Sequence, residues 1–214
     1  MDLIIFDCDG VIADSEILSA EVLIDQLAAL DIAITFDDVR RDFLGRSFPT
    51  VAGLIRARFA RELPADFEGS YRARLLDRFG TGLRETPGFS QMLAGLGARP
   101  VCVATSSSPP RVARTLSLLG LDGRFGAHVF TASQVARGKP APDLFLFAAT
   151  QMGTPPDRAL VIEDSAPGLA AARAAGMAHL HYAGGAHLRG QPAPAGVTSF
   201  DDWSRFAALL EATA

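Results

Sequence analysis

The chain has 214 residues, 49% of them hydrophobic and 21% charged, with a net charge of −4, a pI near 5.5 and a mean hydropathy of +0.21. Such a length buries a substantial core with room for a smaller inserted unit, and such a composition excludes a disordered chain. The acidic balance argues against a nucleic-acid partner, which needs a basic face, and no apolar run approaches the ~18 residues of a membrane span.

From Met1 the chain passes directly into Leu3-Ile4-Ile5-Phe6 with no basic leader, so a cytoplasmic protein is expected. This apolar run is predicted to be a strand, and Asp7-Cys8-Asp9-Gly10 follows at once. Two acids one residue apart in extended chain face the same way, and Gly10 permits a sharp turn. Carboxylates so close repel unless a cation lies between them. The segment therefore suggests metal-dependent chemistry on an anionic substrate, beside the simpler reading of an acidic turn closing a strand. Cys8 and Cys102 are the only cysteines; each sits in an apolar strand pattern and suits a buried free thiol.

Residues from about Ser15 to Gly80 read as helical. Ile17, Val22, Leu23 and Leu27 share a face, Val39, Phe43, Val51, Leu54, Ile55 and Phe59 continue it, and Phe67, Tyr71, Leu75 and Leu76 close it. Breaks are expected at Phe48-Pro49, Leu63-Pro64 and Gly80-Thr81-Gly82. After Pro87-Gly88 strands and helices alternate: strand Pro100 to Thr105, helix Pro110 to Leu119, strand Ala127 to Thr131, helix Pro142 to Met152, strand Ala159 to Ile162, helix Ala166 to Ala175 and strand Ala178 to Tyr182. The expected fold class is α/β, a doubly wound, Rossmann-like parallel sheet with an inserted all-helical cap domain. Residues 1–14 and 84–214 would form the core and 15–83 the cap, hinged near Asp14 and near Arg84 to Gly88.

Polar residues gather where strands end, which is where open α/β sheets place their chemistry. Thr105-Ser106-Ser107 offers hydroxyls and amides just before a helix, suited to phosphate oxygens and equally to capping that helix. Glu163-Asp164-Ser165 again sets acids after an apolar run, where they would also complement a helix dipole. Lys139, in Arg137-Gly138-Lys139-Pro140, is the only lysine in a chain whose other cations are all arginine. A compact ammonium, and not a planar fork, is implied at that position.

Asp7-Cys8-Asp9-Gly10-Val11, Thr105, Lys139-Pro140 with Asp143, and Glu163-Asp164-Ser165 resemble, in order, the four motifs of the haloacid dehalogenase-like phosphohydrolase superfamily over nearly the whole chain. The helical insertion and Gly168 to Gly176 are similar to the branch containing sugar-phosphate phosphatases, phosphoglycolate phosphatases and β-phosphoglucomutase. The resemblance implies that Asp7 attacks phosphorus and carries an aspartyl-phosphate, while Asp9 serves as general acid and then general base. It implies Mg²⁺ held by Asp7, the Asp9 carbonyl and Asp164, with Glu163 as a further ligand or a residue behind the ligands. Lys139 and Thr105, with Gly10 and Ser106 beside them, would receive the phosphate.

The same resemblance weighs rival reactions. Metal-free dehalogenation disagrees with the presence of Asp9 and the Glu163-Asp164 pair, and a cap Schiff base lacks its lysine. A β-phosphoglucomutase-type mutase would carry a histidine in the stretch Asp14-Ser15-Glu16-Ile17-Leu18-Ser19, which has none. Hydrolysis of a small phosphorylated metabolite, a sugar phosphate or sugar-acid phosphate such as 6-phosphogluconate, is the expected reaction. The mutase and a non-catalytic binding or regulatory module are the alternatives. In the cap, Arg46 of Phe43-Leu44-Gly45-Arg46-Ser47-Phe48 is expected to reach the substrate, with Arg72 and Arg74 as weaker candidates. His128, His179, His181 and His187 are expected to be structural or surface residues, and the protein a monomer.

Overall fold

The computed structural model describes residues 1–213. Its central strand β1 (Leu3–Phe6) is apolar on both faces and wholly buried, as a strand flanked by neighbours and covered on two sides must be. β2 (Val101–Thr105) and β4 (Ala159–Glu163) pair with it in parallel on either side. β3 (Val129–Thr131), β5 (Ala178–Tyr182) and the two-residue β6 (Ser199–Phe200) complete a six-stranded sheet in the order β3-β2-β1-β4-β5-β6. The strand order reverses at β1, so the crevice beyond the carboxyl ends of β1, β2 and β4 is where a doubly wound sheet receives a ligand.

Period-2 alternation sorts the central strand between two cores. Ile4 and Phe6 join Val103, Ile162, Phe89 and Trp203 on one face, and Leu3 and Ile5 join Ala104, Phe145 and Val161 on the other. Phe6 meets Phe89 edge-on at 5.4 Å and Trp203 at 6.1 Å. The first face is covered by α5 (Phe89–Gly95), α6 (Pro109–Leu118), α7 (Asp122–Phe125) and α10 (Phe206–Ala212), the second by α8 (Asp143–Gln151) and α9 (Ala166–Ala174). Cys8 falls in the first core, facing away from the chemistry, as its parity predicts. β6, α5, α7 and α10 carry no strong periodic signal in the sequence; they are short and owe their form to the core they cover.

The segment between β1 and α5 contains α1 (Glu16–Ala28), α2 (Phe36–Asp42), α3 (Phe48–Phe59) and α4 (Phe67–Gly82), which bury a third core of their own from Ala20 to Leu83. The chain enters and leaves this layer side by side: Ala13 bridges Glu85, Asp14 N–H donates to the Arg84 carbonyl at 2.9 Å, and Thr86 N–H donates to Ile12 at 2.8 Å. Two sequence expectations are corrected here. Leu54 faces solvent, because α3 presents Val51 and Ile55 to the core instead. Gly80-Thr81-Gly82 does not break a helix; it is the last turn of α4, where Phe79 and Leu83 anchor the backbone and outweigh the modest glycine penalty. Among the described residues no helix is long and apolar enough to cross a membrane.

Candidate active site

Strand register brings the polar residues together. Phe6 pairs with Val103 on one side and Ile162 on the other, so Asp7 emerges level with Ala104 and Glu163, and its N–H donates to the Ile162 carbonyl at 3.0 Å. Gly10 turns the chain back with φ +77°, and a Cβ there would lie 2.0 Å from Asp164 Oδ2, so only glycine fits. Its amide donates to the Ala13 carbonyl at 2.7 Å, so the N–H of Gly10, expected beside the phosphate, is engaged within the turn.

Lys139 lies at the centre, its side chain 1% exposed. Nζ donates to Asp7 Oδ1 at 2.7 Å, to Glu163 Oε1 at 2.7 Å and to the Ala104 carbonyl at 3.0 Å, and sits 4.8 Å from the Phe145 ring centroid. Three donors therefore meet three acceptors, the full capacity of an ammonium. Desolvation opposes the charge on Lys139, yet Asp7 and Glu163 overcome it and hold the ammonium protonated. Glu163 spends its other oxygen, Oε2, on the amides of Asp164 and Ser165, both at 2.8 Å, and on the Ser165 hydroxyl at 2.9 Å. Burial works against ionising Glu163, but Lys139 and these donors win and lower its pKa. A Cβ on Gly168 would lie 1.7 Å from Glu163 Oε1, so α9 is shaped to receive that carboxylate.

Asp7 and Asp164 are pushed the other way. Burial raises both pKa values first; Glu163 raises them further, and Lys139 opposes. Asp164 Oδ2 is buried without a hydrogen-bond donor, although His187 Nε2 stands 2.9 Å away, out of line for a bond. Ligand atoms of Asp7, Glu163 and Asp164 lie within 4.8 Å of one another. Hard oxygen donors carrying unmet negative charge fit a divalent cation of the Mg²⁺ type. Glu163 is the poorest of the three as a direct ligand, since both of its oxygens are already occupied.

Asp9 is held differently. Oδ1 accepts from Ser15 Oγ at 2.6 Å and from Arg111 Nη2 at 2.6 Å, and Oδ2 accepts from Ser107 Oγ. Burial would raise its pKa, but Arg111 and the two hydroxyls lower it on balance. Thr105 is buried, and its Oγ1 accepts from the Ser107 amide at 3.0 Å, which leaves the hydroxyl proton to donate. Ser106 Oγ donates to the Gly45 carbonyl at 3.0 Å, so this hydroxyl joins the sheet to the helical layer instead of standing free for phosphate.

A cavity of about 710 Å³ opens over Asp7 and Asp9, bounded by Thr105 to Arg111 below and by α1, α4 and the Phe43-to-Val51 segment above. Arg46 and Arg72 line it half-buried, the latter paired with Glu68, whereas Arg74 points to solvent. Asp143 does not join the cluster; Arg137 claims it in a two-pronged pair at 3.1 and 2.8 Å. Sequence reasoning missed Arg111 and Glu16. A cation in the first turn of α6, where the helix dipole disfavours it, was the available signal for Arg111. His187, expected to be structural or at the surface, is buried after β5, with Nε2 2.9 Å from Asp164 Oδ2. His181 is structural as expected, spanning Ser199 Oγ at 3.0 Å and the Asp164 carbonyl at 3.2 Å.

Glu16, at the start of α1, is pushed up to about 8 by burial, with Asp9 adding and Arg111 opposing. A folded pKa above the ordinary 4.5 means that its contribution to stability is complete at low pH and is lost as pH rises toward 8. The buried His181 and His187 have lowered pKa values, so their opposite trend is finished above pH ~6.5. Between pH 6.5 and 8.5 in metal-free buffer, the melting temperature is therefore expected to fall, and Glu16→Gln to lessen the slope. An unchanged slope in the variant would assign the decline to other groups.

The family model for haloacid dehalogenase-like hydrolases matches residues 1–176. The chain is 24% identical to the 6-phosphogluconate phosphatase of Escherichia coli, with 99% of this chain and 96% of that one aligned. It is 29% identical to a phosphorylated carbohydrates phosphatase of Thermotoga maritima over 85% and 84% of the two chains. A haloacid dehalogenase-like protein from Agrobacterium tumefaciens superposes with a TM-score of 0.82 at 31% identity, covering 99% and 98%.

Proposed function

The chain belongs to the haloacid dehalogenase-like hydrolase family, and from that premise we propose that it is a Mg²⁺-dependent phosphatase of a small sugar phosphate or sugar-acid phosphate, working through an aspartyl-phosphate on Asp7. The observation that carries this reading is the Lys139 ammonium fixed between Glu163 and Asp7, which lines the cavity, in a cluster with Asp164, whose Oδ2 has no hydrogen-bond donor. A nucleophilic carboxylate, its orienting cation and a cation site converge there. The similarity to two phosphatases of phosphorylated carbohydrates supports the substrate class.

In the first step an Asp7 oxygen forms a bond to phosphorus while the ester P–O bond breaks. The electron pair stays on the leaving oxygen, which takes a proton from Asp9, a carboxylate in the free enzyme that acquires this proton from the monoprotonated phosphate ester as it binds. In the second, Asp9 takes a proton from water as the water oxygen bonds phosphorus, and the bond to Asp7 breaks to release phosphate. Lys139 orients Asp7 and spreads phosphate charge, and the Thr105 hydroxyl donates to a phosphate oxygen. Asp7, the Asp9 carbonyl and Asp164 would hold Mg²⁺, with Glu163 bracing Lys139 and the following amides. Mg²⁺ bound there supplies charge neutralisation at the phosphate and permits Asp7 to stay ionised beside two other acids.

Residues 15–83 act in this reading as a cap over residues 1–14 and 84–214, excluding water and selecting the leaving group, with Arg46 as a contact to its polar groups. The test is phosphate release, with and without Mg²⁺, from sugar phosphates that include 6-phosphogluconate and β-glucose 1-phosphate. Magnesium-dependent phosphate release is expected. Conversion of β-glucose 1-phosphate to glucose 6-phosphate without release would establish a mutase instead, and no turnover of any ester would remove the catalytic reading.

A further inference from the structure

Arg111 takes no part in the chemistry set out so far, and its surroundings are unlike those of a structural arginine. It rises from the first turn of α6, where a positive charge opposes the helix dipole, and its side chain is 18% exposed. One nitrogen, Nη2, donates both to Asp9 Oδ1 at 2.6 Å and to Ser19 Oγ at 2.9 Å. The guanidinium lies 5.4 Å from the centroid of the Phe79 ring, and Nε is buried with no acceptor. A buried, unpaired donor and a charge at the wrong helix end are costs that a stabilising contact would not carry. Such local conflicts concentrate where function requires them.

The two oxygens of Asp9 are not equivalent. Oδ1 is tethered twice, by Arg111 and by Ser15 at the start of α1, and one of these bonds is charge-assisted. Oδ2 meets only the neutral Ser107 hydroxyl. We propose that Arg111 is the positioning residue for Asp9: it fixes Oδ1, so that Oδ2 alone is presented to the leaving-group oxygen, and it makes that placement depend on α1 and α4. The second half of this statement follows from Nη2 being shared with Ser19 on α1 while the guanidinium rests on Phe79 of α4. With the helical layer displaced, Arg111 loses its seat, and Asp9 loses its orientation with it. The proton that Oδ2 delivers is taken up from the monoprotonated phosphate ester by a carboxylate that Arg111 keeps ionised in the free enzyme, and it goes to the ester oxygen as the P–O bond breaks and its electron pair settles on that oxygen. The inference rests on the phosphatase reading above.

Leaving groups of one shape and different acidity separate positioning from general damage. 4-Nitrophenolate departs as a stable anion and needs no proton, whereas phenolate gains much from one. The quantity to read is kcat/KM, which covers steps up to departure of the phenol and leaves out hydrolysis of the phosphoenzyme. For Arg111→Met with saturating Mg²⁺, kcat/KM is expected to fall on the order of 100-fold on phenyl phosphate and less than about 5-fold on 4-nitrophenyl phosphate. Arg111→Lys, which keeps a charge and hydrogen-bond donors, should lie between the parent and the methionine variant on phenyl phosphate. Equal losses on the two esters, or no loss, would overturn the proposal while leaving the phosphatase standing. Failure of the parent protein to hydrolyse either ester would overturn both. Should Arg111→Met not fold, the lysine variant carries the test by the same ratio of the two losses.

Discussion

Asp7→Asn is expected to fold like the parent and to lose turnover by a factor on the order of 10⁴ or more, because an amide oxygen cannot form the aspartyl-phosphate. The stability half of this expectation comes from counting charges. Asp7, Glu163 and Asp164 face a single buried cation, Lys139, so the metal-free cluster has carboxylate in excess, and burial together with Glu163 and Asp164 raises the pKa of Asp7. Replacing one of the three carboxylates with a neutral group of the same shape relieves that repulsion. Lys139 keeps its bonds to Glu163 and to the Ala104 carbonyl. The melting temperature without metal should therefore be unchanged or higher, whereas the rise on adding Mg²⁺ should shrink, since a ligand that binds the folded state alone stabilises in proportion to its affinity. Thermal melts with and without Mg²⁺, beside phosphate release, check both halves. Parental turnover in this variant would remove Asp7 as nucleophile.

The contrast between what the sequence discloses and what it conceals follows from the range of the interactions. Four-to-five-residue apolar runs ending in acids or hydroxyls disclose β1, β2 and β4 together with Asp7, Thr105 and Glu163-Asp164, because a buried parallel strand must be apolar throughout and can turn polar only where it leaves the sheet. Lys139 stands out by composition alone. The grip on Asp9 is not legible in this way. Arg111 is 102 positions away in the chain, and its relation to Asp9 exists only once α6 has packed beneath α1 and α4. Ser106 lies in a stretch suited to phosphate, yet the approach of Gly45, 61 residues distant, claims its hydroxyl. Asp143 fails to reach the cluster for the opposite reason: a local partner, Arg137, is six residues away and within two hydrogen bonds. Short-range patterns thus locate the elements and the strand-end chemistry, and the long-range contacts decide which neighbouring polar groups serve it.

The second large effect is expected at Lys139→Arg, where charge is conserved and shape is not. The ammonium meets Asp7 Oδ1, Glu163 Oε1 and the Ala104 carbonyl from one nitrogen atom, in a space that leaves its side chain 1% exposed. A guanidinium spreads its donors over a plane of three nitrogens and is bulkier, so it cannot bring three bonds to one point without moving β2, β4 or Asp7 itself. Overpacking of this kind costs roughly 1–3 kcal/mol, and a sub-ångström displacement of the nucleophile costs turnover as well. Lys139→Met gives the comparison. Among the described residues it removes the only cation paired with Asp7 and Glu163, and leaving buried charge uncompensated costs about 3–5 kcal/mol. If shape matters beyond charge, the arginine variant should melt between the parent and the methionine variant, while its kcat/KM falls on the order of 100-fold or more. Arginine kinetics within a few-fold of the parent would show that a positive charge is all this position supplies. The single lysine among nineteen arginines would then be an accident of composition.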